Sequence, residues 1–124
     1  MFGFRKLQVW QMAKELVIEI YRLTREFPAE EKFGLVSQIN RAAISVVSNL
    51  AEGSGRVSRK DQAHFTQISF GSLMELACQL EISKELGFVD EESWKSINGK
   101  MKIVAEKLSA LRSSQLSRHR ERAC

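Results

Sequence analysis

Two charged side chains stand alone in long uncharged stretches. Arg41 is the only charge between Phe33 and Ala51, and Glu75 is the only one between Phe65 and Cys78. An arginine and a carboxylate kept in segments otherwise suited to burial are expected to pair, because a buried charge without its partner is strongly destabilising. On a helix, steps of three and four put Gln38, Arg41, Ser45, Asn49 and Glu52 on one side. That polar stripe, with Gln79, offers the hydrogen bonds that a shielded Arg41–Glu75 pair would still need. No nucleophile or second acid accompanies the pair, so Arg41, Ser45, Asn49, Glu52, Glu75 and Gln79 read as a structural polar network that fixes helix register or subunit contacts. No catalytic residue is expected.

A second chemistry is suggested by where the positive charge lies. The net charge is +4 with a pI near 9.3. Arg56, Arg59 and Lys60 contribute +3, and the stretch from Arg112 to Cys124, with Arg118, Arg120 and Arg122 against Glu121, contributes another +3, which leaves −2 for everything else. Charge confined to one connection and one terminus is the pattern of an anion-binding surface. These six cations (Arg56, Arg59, Lys60, Arg118, Arg120 and Arg122) are the candidate nucleic-acid contacts. Neither segment contains an aromatic residue, which argues for phosphate contact without base stacking and so for tolerance of sequence. The segment Gly53-Ser54-Gly55-Arg56 invites comparison with phosphate-binding loops, but it follows a helical pattern and lacks the GxxxxGK[ST] order. His64 and His119 have no partners at metal-ligand spacing, and Cys78 and Cys124 form no pattern for a disulfide or a zinc site. Cys78 reads as packing. No metal or cofactor is expected.

The elements that must position these residues are helical. Between Val9 and Phe27 the apolar residues Trp10, Ala13, Leu16, Val17, Ile20, Leu23 and Phe27 recur at helical spacing, and Pro28 marks an end. A second pattern runs from about Glu30 to Ala51 and is expected to stop at Gly53 in the left-handed position that follows a helix. Ser58 and Asp61 have capping-box spacing for a third helix that Gly87 closes, and Asp90 caps a fourth whose stripe is Ile97, Met101, Val104, Leu108 and Leu111. Four such patterns joined by short links predict an all-α, antiparallel up-down four-helix bundle over residues 1–112, with a basic tail over 113–124 that is frayed or disordered. On the third helix Phe65, Leu76 and Leu80 share one face while Phe70 and Met74 fall near the opposite one. A helix apolar on two faces implies a partner, here a second copy of the chain.

Composition agrees with a single folded domain: 124 residues, 44% apolar, 27% charged and one proline. No stretch has the length and apolarity of a membrane span and the first residues do not read as a leader, so a cytoplasmic location without membrane attachment is expected.

Three motifs then identify a family. FxxLxVWQxA over Phe4 to Ala13, FPxEExFGLxSQxxRAAxSxxSNxAEGxGR over Phe27 to Arg56, and FGSLxELxxQL over Phe70 to Leu80 occur in order. In these the chain resembles the 23S rRNA-intervening sequence proteins. The resemblance implies a left-handed four-helix bundle that assembles into a ring-like homopentamer, encoded in some bacteria within insertions in large-subunit rRNA genes. A similar fold serves diversity-generating retroelements as a basic pentameric accessory protein, which adds a reverse transcriptase to the partners the resemblance suggests. The residues that carry over are Arg41, Ser45, Asn49, Glu52, Gly53, Gly55, Arg56 and Glu75, none with a catalytic role. Val47 stands where proline is frequent, which should leave the second helix straighter.

The function expected from residues and resemblance together is a non-enzymatic homo-oligomer that holds RNA or DNA backbones. The alternative is a protein-interaction scaffold whose basic segments only keep it soluble.

Overall fold

The computed structural model describes the backbone of residues 2–123 and the side chains of residues 2–117. Four helices carry the fold: α1 Gln8–Thr24, α2 Leu35–Ser54, α3 Arg59–Glu85 and α4 Glu91–Ala123, with a 3-10 turn at Gly3–Lys6 and a second at Ala29–Glu31. No strand occurs among the described residues. Each helix packs on two others, α1 on α2 and α4, and α3 on α2 and α4, so α1 and α3 lie across a diagonal. This is the up-down bundle that short connections enforce. Its centre is built from Ile20, Ile39, Val46, Leu73, Leu76, Leu80, Val104 and Leu108, all less than 2% exposed.

The boundaries follow local chemistry. α1 ends at Thr24 and not at Phe27, and the Thr24 hydroxyl lies 3.1 Å from Asn40 Oδ1 across the turn. α2 begins at Leu35, later than the apolar pattern suggests, because Gly34 is non-helical at φ −110° and ψ −108°. The carboxylate of Glu31 accepts from the free Leu35 N–H at 3.4 Å. The expected cap of α3 is in place, with the Asp61 N–H donating to Ser58 Oγ at 3.0 Å. Asp90 caps α4 by accepting from the Ser93 N–H at 2.8 Å, and that bond holds its carboxyl below the ordinary carboxylate range. Gly87 ends α3 at φ +82°, with Gly87 N–H to Lys84 O and Phe88 N–H to Ser83 O completing a Schellman stop.

Two expectations are corrected here. Gly53 does not stop α2: the helix continues through Ser54, and positive φ occurs only at Gly87 among the described residues. What requires glycine at 53 is space, since a Cβ there would sit 2.8 Å from the Phe65 Cβ on α3. The second concerns the end of the bundle. α4 passes Arg112 without a break, and Gln115 is buried with its side-chain carbonyl 2.9 Å from the Thr66 hydroxyl. The apolar stripe of α4 fades after Leu111 because its next inward position is a polar residue satisfied by a polar partner.

A pair of glycine substitutions tests this reading. Gly53→Ala should destabilise the fold by about 1–3 kcal/mol, the usual cost of overpacking. Gly99→Ala, at an exposed α4 position with nothing within 4 Å, should stabilise it by about 0.5–1 kcal/mol through helix propensity. Urea unfolding of both variants measures the contrast.

Candidate nucleic-acid interface

The polar residues of α2 and α3 meet along the seam between the two helices. Ser45 Oγ and Ser72 Oγ are 2.7 Å apart, and Asn49 Nδ2 donates to the Ser45 carbonyl at 2.8 Å and to Ser45 Oγ at 3.0 Å. One turn further, the fully buried Ser69 hydroxyl donates to the Val46 carbonyl at 2.7 Å. Small side chains at these positions let the helices approach closely, and their hydroxyls fix the register.

That register brings Arg41 level with Glu75, since one lies four residues before Ser45 and the other three after Ser72. They do not form the expected shielded pair. Both are exposed and no ion pair joins them among the described residues. Arg41 stands one turn from Ser45 on the same side of α2, and the two border one surface depression with Tyr21, Ser37, Asn40 and Ile44; Ser45 at the edge of the seam reaches α3, while Arg41 stays exposed. Glu75 instead accepts from Gln79 Nε2 at 3.2 Å, and the Gln79 side-chain carbonyl is buried without a partner. Ser45 and Asn49 bond to the α2–α3 seam and Gln79 to Glu75, not to a shielded Arg41–Glu75 pair, and the two charges are exposed.

The expected two-faced character of α3 is also redistributed. Phe70 is partly buried against the core and borders α4, so it is not on the free face. The exposed apolar residues of that region are Met74 with Ile68 and Ile82 on α3, and Ile44 on α2. Cys78 is exposed there too, and not a packing residue.

The basic residues singled out in the sequence lie at one end of the bundle. The antiparallel arrangement puts the α2–α3 connection, the beginning of α1 and the last turns of α4 at the same pole. Gln62 braces the connection, donating to the Arg56 carbonyl at 2.9 Å and accepting from Arg59 Nη1 at 3.2 Å. Arg56 pairs with Glu52 at 2.7 Å and lies over the Phe65 ring at 4.6 Å. The Arg56–Glu52 pair is about half exposed on both sides, worth only about 0.3–0.5 kcal/mol, so it yields readily to a competing anion. Lys60 is exposed. Arg118, Arg120 and Arg122 belong to the last stretch of α4, and their side chains lie outside the described residues, as do those of His119 and Cys124.

Sequence reasoning missed two cations at this pole. Arg5 and Lys6, in the Gly3–Lys6 turn, come beside the α2–α3 connection: Gly3 and Leu7 line a cavity of about 230 Å³ together with Ser54, Arg59, Gln62 and Thr66. That the turn carrying them comes to the same pole as Arg59 is a product of topology, and only the helix count and direction could have announced it. Asp61 is the acid at the start of α3 on this pole. The opposite end of the bundle collects Glu30, Glu31, Asp90, Glu91 and Glu92 at the starts of the 3-10 turn and α4, interspersed with Arg22, Arg25, Lys32 and Lys84, of which Lys84 pairs with Glu91 at 3.5 Å, so that end is mixed with an excess of acid.

Comparisons with known proteins agree with the fold. The profile of a family described as 23S rRNA-intervening sequence protein matches residues 5–110. A crystal structure of a protein of unknown function from the S23 ribosomal protein family of Bacteroides thetaiotaomicron is similar, with a TM-score of 0.76 at 21% identity over 84% of this chain and 97% of that one. No curated protein sequence matches.

The Thr66–Gln115 bond offers a check on the attachment of α4 near the basic pole. Thr66→Val should cost about 1–3 kcal/mol by stranding the buried Gln115 carbonyl, and adding Gln115→Met should restore most of the loss. A neutral Thr66→Val in thermal or urea unfolding would contradict this packing.

Proposed function

The chain belongs to the 23S rRNA-intervening sequence protein family, and we propose that it works as a non-catalytic, cytoplasmic homo-oligomer whose basic pole holds the phosphates of RNA or DNA without sequence preference. The observation that carries the reading is the convergence of Arg5, Lys6, Arg56, Arg59 and Lys60 on one end of a bundle whose other end mixes both signs with an excess of acid. Charge that served solubility alone would have no reason to be sorted along the axis. The free N–H groups at the start of α3, beside Arg59 and Lys60, add a further attraction for an anion. Among the described residues no helix is long and apolar enough to cross a membrane.

Self-association is supported by the outer faces of α2 and α3. They expose Ile44, Ile68 and Met74 at 37–43% and carry only Arg41 and Glu75 as charges between the limits given above; Ile82, at 47%, continues the face between Glu81 and Glu85. A face so poor in charge is costly to leave in water. In a ring-like pentamer each basic pole would recur around the axis, and modest contacts per subunit would add by multivalency.

Two experiments test the parts separately. In a salt titration of duplex binding, log K should fall by about 0.9 per neutralised phosphate for each log unit of salt. Changing Arg56, Arg59 and Lys60 to Glu should weaken binding and flatten the slope while leaving the thermal midpoint nearly unchanged. Absence of binding at low salt would favour the scaffold reading. For assembly, light scattering should give about five times the 14.1 kDa chain mass. Arg41→Glu should lower that mass, and a monomer in the wild-type protein would overturn the assembly.

A further inference from the structure

The Gly3–Lys6 turn holds a group that the phosphate reading leaves unused. Phe2 and Phe4 lie nearly parallel, with ring centroids 6.2 Å apart and planes 8° from one another. Phe4 in turn meets Trp10 of α1 edge to face at 4.7 Å. The Arg5 guanidinium sits 5.7 Å from the Phe2 ring and 5.8 Å from the Phe4 ring, and Lys14 Nζ lies 5.6 Å from Trp10. The ladder therefore runs from the partly buried Trp10 outward to Phe2, which is 69% exposed. Its backbone is held: Leu7 N–H donates to the Phe4 carbonyl at 3.0 Å, and Gln11 Nε2 donates to the Arg5 carbonyl at 2.7 Å.

We propose that the outer face of Phe2 is a stacking site for an unpaired nucleobase, which makes the basic pole selective for single-stranded over duplex nucleic acid. The inference rests on the phosphate-binding reading of that pole and deepens it. Phe33 at the other end is more exposed, at 89%, with Lys32 over its ring, but it has no ring beside it; Phe2 is distinguished by lying parallel to Phe4 and next to Arg5 at the basic pole. Base-aromatic stacking with arginine beside it is a sequence-tolerant way to hold a single strand, because every base has a π-face. A duplex keeps its bases inside and presents only phosphate and groove edges, so it gains nothing from Phe2. Gly3 of the turn and Arg59 line the same cavity, which puts the stacking face and the cations that would hold the flanking phosphates at one pole. The expectation of phosphate contact without stacking rests on the basic segments alone, whereas these aromatic residues arrive from a segment remote in sequence.

The test uses fluorescence anisotropy at one low salt concentration with three probes of about twenty nucleotides: oligothymidylate, an abasic strand of the same length and charge, and a duplex. The wild-type protein should bind oligothymidylate about tenfold tighter than the abasic strand. Phe2→Ala should remove that advantage without weakening the abasic strand or the duplex, Phe2→Trp should retain it, and both variants should keep the wild-type mass by light scattering. Equal binding of oligothymidylate and the abasic strand, unchanged by Phe2→Ala, would overturn the stacking site while leaving the basic pole standing. A change of mass in Phe2→Ala would assign the ring to assembly and overturn the proposal. Loss of all three probes in the wild-type protein would remove the phosphate reading and the stacking site together.

Discussion

The close approach of α2 to α3 is the constraint on which the rest of the molecule depends. It needs Gly53, since any side chain there would meet Phe65. It is held in register by Ser69 on the Val46 carbonyl and by Ser45 against Ser72. Removing side-chain bulk and satisfying the small hydroxyls lets the two helices lie close together along this seam. The same contact directs the short Gly55–Ser58 connection and its cations to the end of the bundle. Arg56, Arg59 and Lys60 are positioned from this hairpin, and the Gly3–Lys6 turn joins them from the start of α1.

Much of this was legible in the residues. The helix count and the caps at Ser58 and Asp90 follow from local rules, as does the stop at Gly87, and the structure bears them out. What was not legible depended on partners far away in sequence. Gly53 looks like a terminator until Phe65 is placed beside it. Gln115 looks like the beginning of a tail because a polar residue breaks the stripe, and only the Thr66 hydroxyl opposite turns it into a core position. Arg41 and Glu75 were correctly singled out as isolated charges, but isolation along the chain does not determine the side of the helix that carries each of them.

The charge arrangement follows the same logic. Acidic residues favour the first turns of helices and basic residues the last, where they complement the backbone dipole, yet Arg59 and Lys60 stand at the start of α3, against that preference. Cations placed at a helix N-terminus reinforce the positive end of the dipole and do not neutralise it. The result is a pole that attracts anions more strongly than its side chains alone would. The exposed Phe2 ring beside it gives that pole a second kind of contact, apolar and flat, which phosphate binding alone does not require.

The central claim is that nucleic acid is held at this one end of the bundle. Ultraviolet cross-linking of the full-length protein to a single-stranded oligonucleotide, followed by mass-spectrometric mapping of the modified residues, tests it most directly. Cross-links within residues 2–14 and 52–67 are the expected result. Cross-links confined to the opposite end, around residues 25–34 and 85–95, would contradict the account.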